Sequence, residues 1–257
     1  MIRLASALAL SVLAATPGPA DAQPARSTSI VLVHGAFVDG SGWQAVYDLL
    51  SKDGYEVLVV QNPTISLEDD VAATERAIQA AKYPVVLVGH SYGGMVITQV
   101  GDNPKVRSLA YVAAFAPDAG ESVESLNERP AAAGESKAPL LPPRDGYLIV
   151  DPEKFPNAFA ADVSPEITRF MAIAQVPWGL QAVTTKISRV AWKAKPTSFM
   201  VTANDHMIPP SAQRMMAERS GAQTVEIKSS HAVMLSHPQA VAAFVKAADR
   251  TLTNSAN

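Results

Sequence analysis

Short unbroken apolar runs, rich in β-branched residues, recur along the chain: Ser29 to His34, Glu56 to Gln61, Val85 to Gly89, Ser108 to Ala114, Thr197 to Thr202 and Thr224 to Lys228. Runs that do not alternate with polar residues fit parallel strands covered on both faces. Between them apolar residues return at helical spacing. Trp43, Val46, Leu49 and Leu50 mark a helix over 42–52 that Gly54 closes, and Ser66 caps a second that runs to about 81. Further helices are expected over 92–101, 211–219 and 238–251. Strands interleaved with helices predict the α/β class, a doubly wound parallel sheet of about six strands.

The alternation lapses from about 118 to 190. No apolar β run is found there; instead Pro130, Pro139, Pro142 and Pro143 punctuate loops, with short helical segments around 152–161, 165–174 and 180–186. That stretch reads as a helical lid inserted into the sheet domain.

The N-terminus has a different character. Met1-Ile2-Arg3 precedes an apolar run from Leu4 to Ala15, a break at Pro17-Gly18-Pro19, and Ala20-Asp21-Ala22. These are the parts of a secretory signal peptide over 1–22, leaving one domain at 23–257 that carries the insertion. The apolar run is too short for a permanent membrane anchor, so the expected location is exported, either periplasmic or secreted. Cysteine is absent, and stability therefore rests on the core rather than on disulfides. A net charge of −3 without any basic block argues against nucleic acid as a partner.

Candidate chemistry begins at Gly89-His90-Ser91-Tyr92-Gly93-Gly94, a GxSxG sequence directly after an apolar strand and before a helix. A turn that sharp holds the serine in a strained conformation with its hydroxyl presented, as a nucleophile requires. Serine attacks only when a base takes its proton. Of the five histidines, His231 lies between the last strand and the last helix, at the carboxyl edge of the sheet where ligands bind. His34 and His90, within or beside buried strands, read as loop-holding residues, and His206 and His237 as neighbours of better-explained positions. A carboxylate must orient the base. Asp205 leaves the preceding strand at the same edge and preserves the order Ser, Asp, His. Asp118 is the rival, and its other reading is a helix cap or lid hinge. The backbone amide of Tyr92, following the nucleophile, and that of Ala36, after the first strand, are the expected oxyanion donors. Phe37, Phe159 and Trp178 are candidate substrate-binding walls, with Phe155 and Phe170 as further lid aromatics; for Phe155, Phe159, Phe170 and Trp178 alike the simpler reading is lid core. No metal-ligand spacing and no nucleotide-binding glycine motif is found, so no cofactor and no metal are expected.

Taken together, Val33-His34-Gly35-Ala36, Gly40 and Trp43, the elbow from Gly89 to Gly94, Ala113 to Asp118, Asp205 with Ile208-Pro209, and His231 with Met234-Leu235 resemble the α/β-hydrolase superfamily. Within it they are similar to the branch of plant methyl-ester esterases and hydroxynitrile lyases. The resemblance implies an α/β-hydrolase fold, with Ser91, Asp205 and His231 as a triad and Ala36 and Tyr92 as oxyanion donors. Lyases of the branch carry a lysine after the base histidine and a threonine at the place of Gly35. Here Ala232 follows His231, and no cation is available to receive a departing anion, which favours hydrolysis. The expectation is a serine esterase for small to medium carboxylic esters, a monomer or homodimer whose partner is a small-molecule ester. Perhydrolase, lactonase or C–C hydrolase chemistry, or a ligand-binding member without turnover, are the alternatives.

Overall fold

The structure is a computed structural model and describes residues 26–254. The expected signal peptide at 1–22 lies outside the described residues. Among the described residues no helix is long and apolar enough to cross a membrane.

In chain order, the first half is built from β1 (Ser29–Val33), α1 (Gln44–Lys52), β2 (Glu56–Val60), α2 (Leu67–Ala80), β3 (Val85–His90), α3 (Gly93–Val100) and β4 (Val106–Val112). An insertion follows, with α4 (Val123–Asn127), β5 (Tyr147–Leu148), α5 (Phe155–Phe159), α6 (Pro165–Ile173), β6 (Trp178–Gly179) and α7 (Leu180–Thr184). The chain then returns to the sheet through β7 (Thr197–Thr202), α8 (Pro210–Arg219), β8 (Gln223–Ile227), α9 (Val233–Ser236) and α10 (Pro238–Asn254).

Six strands form one parallel sheet in the order β2-β1-β3-β4-β7-β8. The chain moves one way from β1 to β2 and the other way from β2 through β3 to β4. Right-handed crossovers then place α1 on one face and α2 and α3 on the other. α10 packs on α1, and α2 on α3. β1 and β3 are wholly buried, which explains their unbroken apolar runs. β8, at the edge, is mostly exposed and carries the polar Gln223, Thr224 and Glu226.

Three features differ from the sequence expectation. The inserted stretch contains a two-stranded antiparallel ladder, Tyr147 with Gly179 and Leu148 with Trp178, where no strand is expected. Strands of two residues are too short for any periodicity to register. α4 was also unforeseen, although Ser122 and Ser125 cap it reciprocally. The turn before α1 is a 3-10 helix, Gly40–Trp43, opened by Asp39, whose side chain accepts from the Ser41 amide at 2.8 Å. Ser66 caps α2 as expected, accepting from the Asp69 amide at 3.1 Å.

α3 lies against the sheet because Gly94 has no side chain: a Cβ there would sit 1.9 Å from the Phe115 carbonyl oxygen. α2 is tied to the start of α3 by Asp70. Leu67, Asp70, Thr74 and Ile78 share the buried face of α2. Asp70 Oδ2 accepts from the Tyr92 hydroxyl at 2.6 Å and Oδ1 from the Thr64 amide at 2.7 Å. Burial pushes the Asp70 carboxyl up to about 6, against the opposing hydrogen bonds from Tyr92 and Thr64.

Gly94→Ala is expected to cost about 3 kcal/mol or more, read from the urea midpoint, whereas Gly42→Ala, with open space around its Cβ, stays within about 0.5 kcal/mol of the parent. For Asp70, an unfolded chain releases its proton near the ordinary value of 3.8 while the folded chain keeps it to about 6. This group's contribution is therefore full below that window, falls as pH rises through it and is level above. Asp70→Asn removes the effect, so the stability difference should shift in the variant's favour by up to about 3 kcal/mol between acid and neutral pH. Denaturation curves of both proteins across that range provide the check.

Candidate active site

The first and third strands end side by side at the point where the chain reverses its direction of travel across the sheet. That is where a doubly wound sheet opens a crevice. β3 delivers Ser91, held at φ 55°. Its carbonyl accepts from the amides of Gly94 at 3.0 Å and Phe115 at 3.1 Å, and its own amide donates to Val112 O at 3.3 Å. The sharp turn is thus fixed by backbone on several sides, and the side chain is left facing the crevice edge.

β7 delivers Asp205. Oδ1 accepts from the amides of Met207 at 2.7 Å and Ile208 at 2.9 Å, which curl the loop before Pro209-Pro210 opens α8. Oδ2 accepts from Thr202 Oγ1 at 2.9 Å, from Gln213 Nε2 at 2.8 Å and from His231 Nδ1 at 2.7 Å. β8 delivers His231, whose Nε2 lies 2.8 Å from Ser91 Oγ. A carboxylate can only accept, so Nδ1 of His231 carries the proton and Nε2 is free to accept from the serine hydroxyl. The structure therefore joins the three sequence-predicted side chains in one hydrogen-bonded chain, all of them buried.

The other histidines fall where the sequence put them. His34 Nδ1 donates to the Gly35 carbonyl at 2.8 Å, and Nε2 accepts from the Asn62 amide at 3.2 Å. His90 Nε2 donates to the His231 carbonyl at 2.9 Å. Burial lowers the affinity of both rings for a proton, far below the usual range for His90, to which the neighbouring His231 adds. His206 is exposed. Asp118 pairs with Lys193 at the foot of the insertion, and that hydrogen bond holds its carboxyl below the ordinary value. Its carboxylate accepts from Lys193 and the Ala119 amide, and the partner of His231 Nδ1 is Asp205 instead.

Ala36 and Tyr92 lie on the two loops that meet at Ser91. The approach is close: a Cβ on Gly35 would sit 2.5 Å from Ser91 Cβ. Among the described residues neither the Ala36 nor the Tyr92 amide donates to a backbone carbonyl outside regular elements. The Tyr92 side chain points away into its bond with Asp70.

Of the expected walls, Phe37 lines a cleft of about 240 Å³ together with Val38, Ile167, Phe170, Met171 and Leu235, with Asp39 and Ser41 as polar members. Phe159 meets the His231 ring edge-on, centroids 4.9 Å apart, and lines a small pocket of about 20 Å³ with His34, Trp43 and His90. Trp178 takes the simpler of its two readings, as part of the packing of the insertion. It packs behind Phe37 at 5.5 Å and Tyr92 at 5.2 Å and is absent from the lining of either cleft. Phe155 stacks on Phe159 inside the insertion and is core, whereas Phe170 is 68% exposed at the cleft mouth.

Gln213, Thr202, Asp70 and Asp162 take part in this site without having been singled out from sequence. A signal existed for two of them, since Asp70 and Gln213 each occupy the apolar face of an otherwise amphipathic helix.

Comparison with known proteins agrees with the architecture. The carbendazim hydrolyzing esterase of Nocardioides sp. (strain SG-4G) is 38% identical over 112 residues, 38% of this chain and 46% of that protein, so the match spans less than half of that relative. Salicylic acid-binding protein 2 of Nicotiana tabacum is 25% identical over 261 residues, covering 83% of this chain and 94% of its own. Among solved structures, a pyrethroid hydrolase superposes with a TM-score of 0.74 at 22% identity, covering 86% of this chain and 98% of that one. The family model described as "Alpha/beta hydrolase family" matches residues 30–244, and the chain belongs to that family.

Proposed function

We propose that the protein is a serine esterase that hydrolyses small to medium carboxylic esters through an acyl-enzyme. The observation that carries this reading is the unbroken run of hydrogen bonds from Asp205 through His231 to Ser91. Ser91 Oγ attacks the ester carbonyl while His231 Nε2 takes its proton, and the Asp205 carboxylate stabilises the imidazolium. The amides of Ala36 and Tyr92 receive the oxyanion. As the tetrahedral intermediate collapses, His231 returns the proton to the departing alcohol, leaving the acyl group on Ser91. Water then enters, its oxygen attacks the acyl carbon as His231 removes one of its protons, and the second collapse breaks the bond to Ser91, releasing the carboxylic acid while His231 returns the proton to Ser91 Oγ.

The cleft beside Phe37, lined mainly by apolar side chains, supports esters with a small apolar acyl or alcohol part, with Phe37 as one contact and Phe159, edge-on to the His231 ring, as another. The esterase relative from Nocardioides supports the bond type. Ala232, buried directly after the base, offers no cation for a departing cyanide, so lyase chemistry is disfavoured.

With p-nitrophenyl acetate, the parent should show a burst of nitrophenol equal to the enzyme present, and a fluorophosphonate should label Ser91. Ser91→Ala should lose both, with turnover down by more than about 1000-fold. Retention of turnover by Ser91→Ala would remove the proposal.

A further inference from the structure

Asp162 follows α5 within the insertion, far along the chain from the base. Its carboxylate nonetheless holds the two residues that lead into His231. Oδ2 accepts from the Ser230 amide at 3.0 Å and from Ser229 Oγ at 2.8 Å, and Oδ1 accepts from Ser230 Oγ. Ser229 Oγ also lies 3.0 Å from Ser236 Oγ, and His237 Nδ1 stands 3.8 Å from Asp162, so the contact extends to α9 and its end. On the other flank of the base, the Ala232 amide donates to the Phe159 carbonyl at 2.9 Å. Residues 159–162 of the insertion therefore grip residues 229–232, with His231 in the middle.

Burial of Asp162 opposes its ionisation, but the hydrogen bonds from Ser230 and Ser229 outweigh it and hold the carboxyl below the ordinary range. Hydrogen bonds to a charged acceptor are about twice as strong as neutral ones. A loop fastened in that way has little freedom to slide.

We propose that Asp162 is a positioning residue, which through Ser229 and Ser230 fixes the backbone from which His231 reaches Ser91. The inference rests on the reading of Ser91 and His231 as nucleophile and base. Its physical reason is tolerance: the imidazole must keep hydrogen-bond reach to Ser91 Oγ while its own charge changes, and a displacement of about 1 Å can cost 100-fold in rate. A clasp that only docked the insertion would act differently, loosening the cleft and raising KM.

The test is steady-state kinetics on p-nitrophenyl butyrate for the parent, Ser91→Ala, Asp162→Asn, Ser230→Ala and the Asp162→Asn/Ser230→Ala double variant. Asp162→Asn should lower kcat about tenfold or more with KM within about twofold of the parent. Ser230→Ala should lower kcat less, and the double variant should match Asp162→Asn rather than multiply the two losses, because the Ser230 hydroxyl bond is one of those that Asp162→Asn already weakens. Unchanged kcat, a loss confined to KM, or losses that multiply would each overturn the proposal. Should Asp162→Asn fail to fold, Ser229→Ala and Ser230→Ala, each deleting one donor and leaving the carboxylate, carry the same readout, and unchanged kcat in both overturns it. An active parent matched by Asp162→Asn removes the clasp's role alone. A parent that neither turns over ester nor takes up fluorophosphonate removes the hydrolase reading and the clasp's role with it.

Discussion

Ser91 sits at φ 55°, a left-handed conformation that costs a residue with a Cβ about 1–3 kcal/mol and survives only where the surroundings leave no alternative. Those surroundings are β3 and its neighbours. β3 lies between β1 and β4, is buried along its whole length, and hands Ser91 into a turn whose carbonyl is held by both Gly94 and Phe115. Close approach finishes the constraint: a Cβ on Gly35 would strike Ser91, and one on Gly94 would strike the Phe115 carbonyl. The strain is thus a property of how β1, β3 and α3 converge. Relaxing it would need all three to move.

A second requirement concerns charge. His231 is packed against His90, ring centroids 4.6 Å apart, and a charged neighbour at that distance would resist protonation of the base. Burial keeps His90 and His34 neutral, and each spends a ring nitrogen on a backbone carbonyl. The anionic partner is left to Asp205 alone. Burying a carboxylate without compensation is costly, and here two amides, a hydroxyl, a side-chain amide and the imidazole share it. The same contacts define which way Asp205 faces, so the compensation for burial is also the source of its aim.

Sequence was informative where a local rule and a chain-order rule agreed. Ser91 stood in a strand-turn-helix context, and Asp205 and His231 each followed a readable strand in the expected order. Asp118 satisfied only the local rule, since it too ends a strand region, and its lysine partner 75 positions later could not be read from spacing. Asp70 was hidden among Glu68 and Asp69, which look like ordinary acidic residues at a helix start; only the register with Leu67, Thr74 and Ile78 marks it as inward-facing. Trp178 stayed open between cleft wall and core of the insertion for a related reason. Composition shows an aromatic in the insertion but not which side of Phe37 it occupies. Asp162 was beyond reach, because its partners lie 67 and 68 positions away.

These contacts change what the insertion is. Phe159 and Asp162 hold the loop bearing His231, while Trp178 packs on Tyr92 and Phe37, the Val176 amide bonds the Phe37 carbonyl, and the Gly179 amide bonds the Thr64 carbonyl. Thr64 is in turn held by Asp70, which holds Tyr92. One inserted segment therefore braces both sides of the crevice, the loop with the proposed base and the loops with the proposed oxyanion amides. A lid that swung as a whole would break both braces at once. One part free of such duty is the outer face of α6, where Ile167 and Phe170, 50% and 68% exposed, line the cleft and Ile173 is 80% exposed. That face makes none of the contacts that aim Ser91 and His231, so substitutions there leave the proposed reaction chemistry in place.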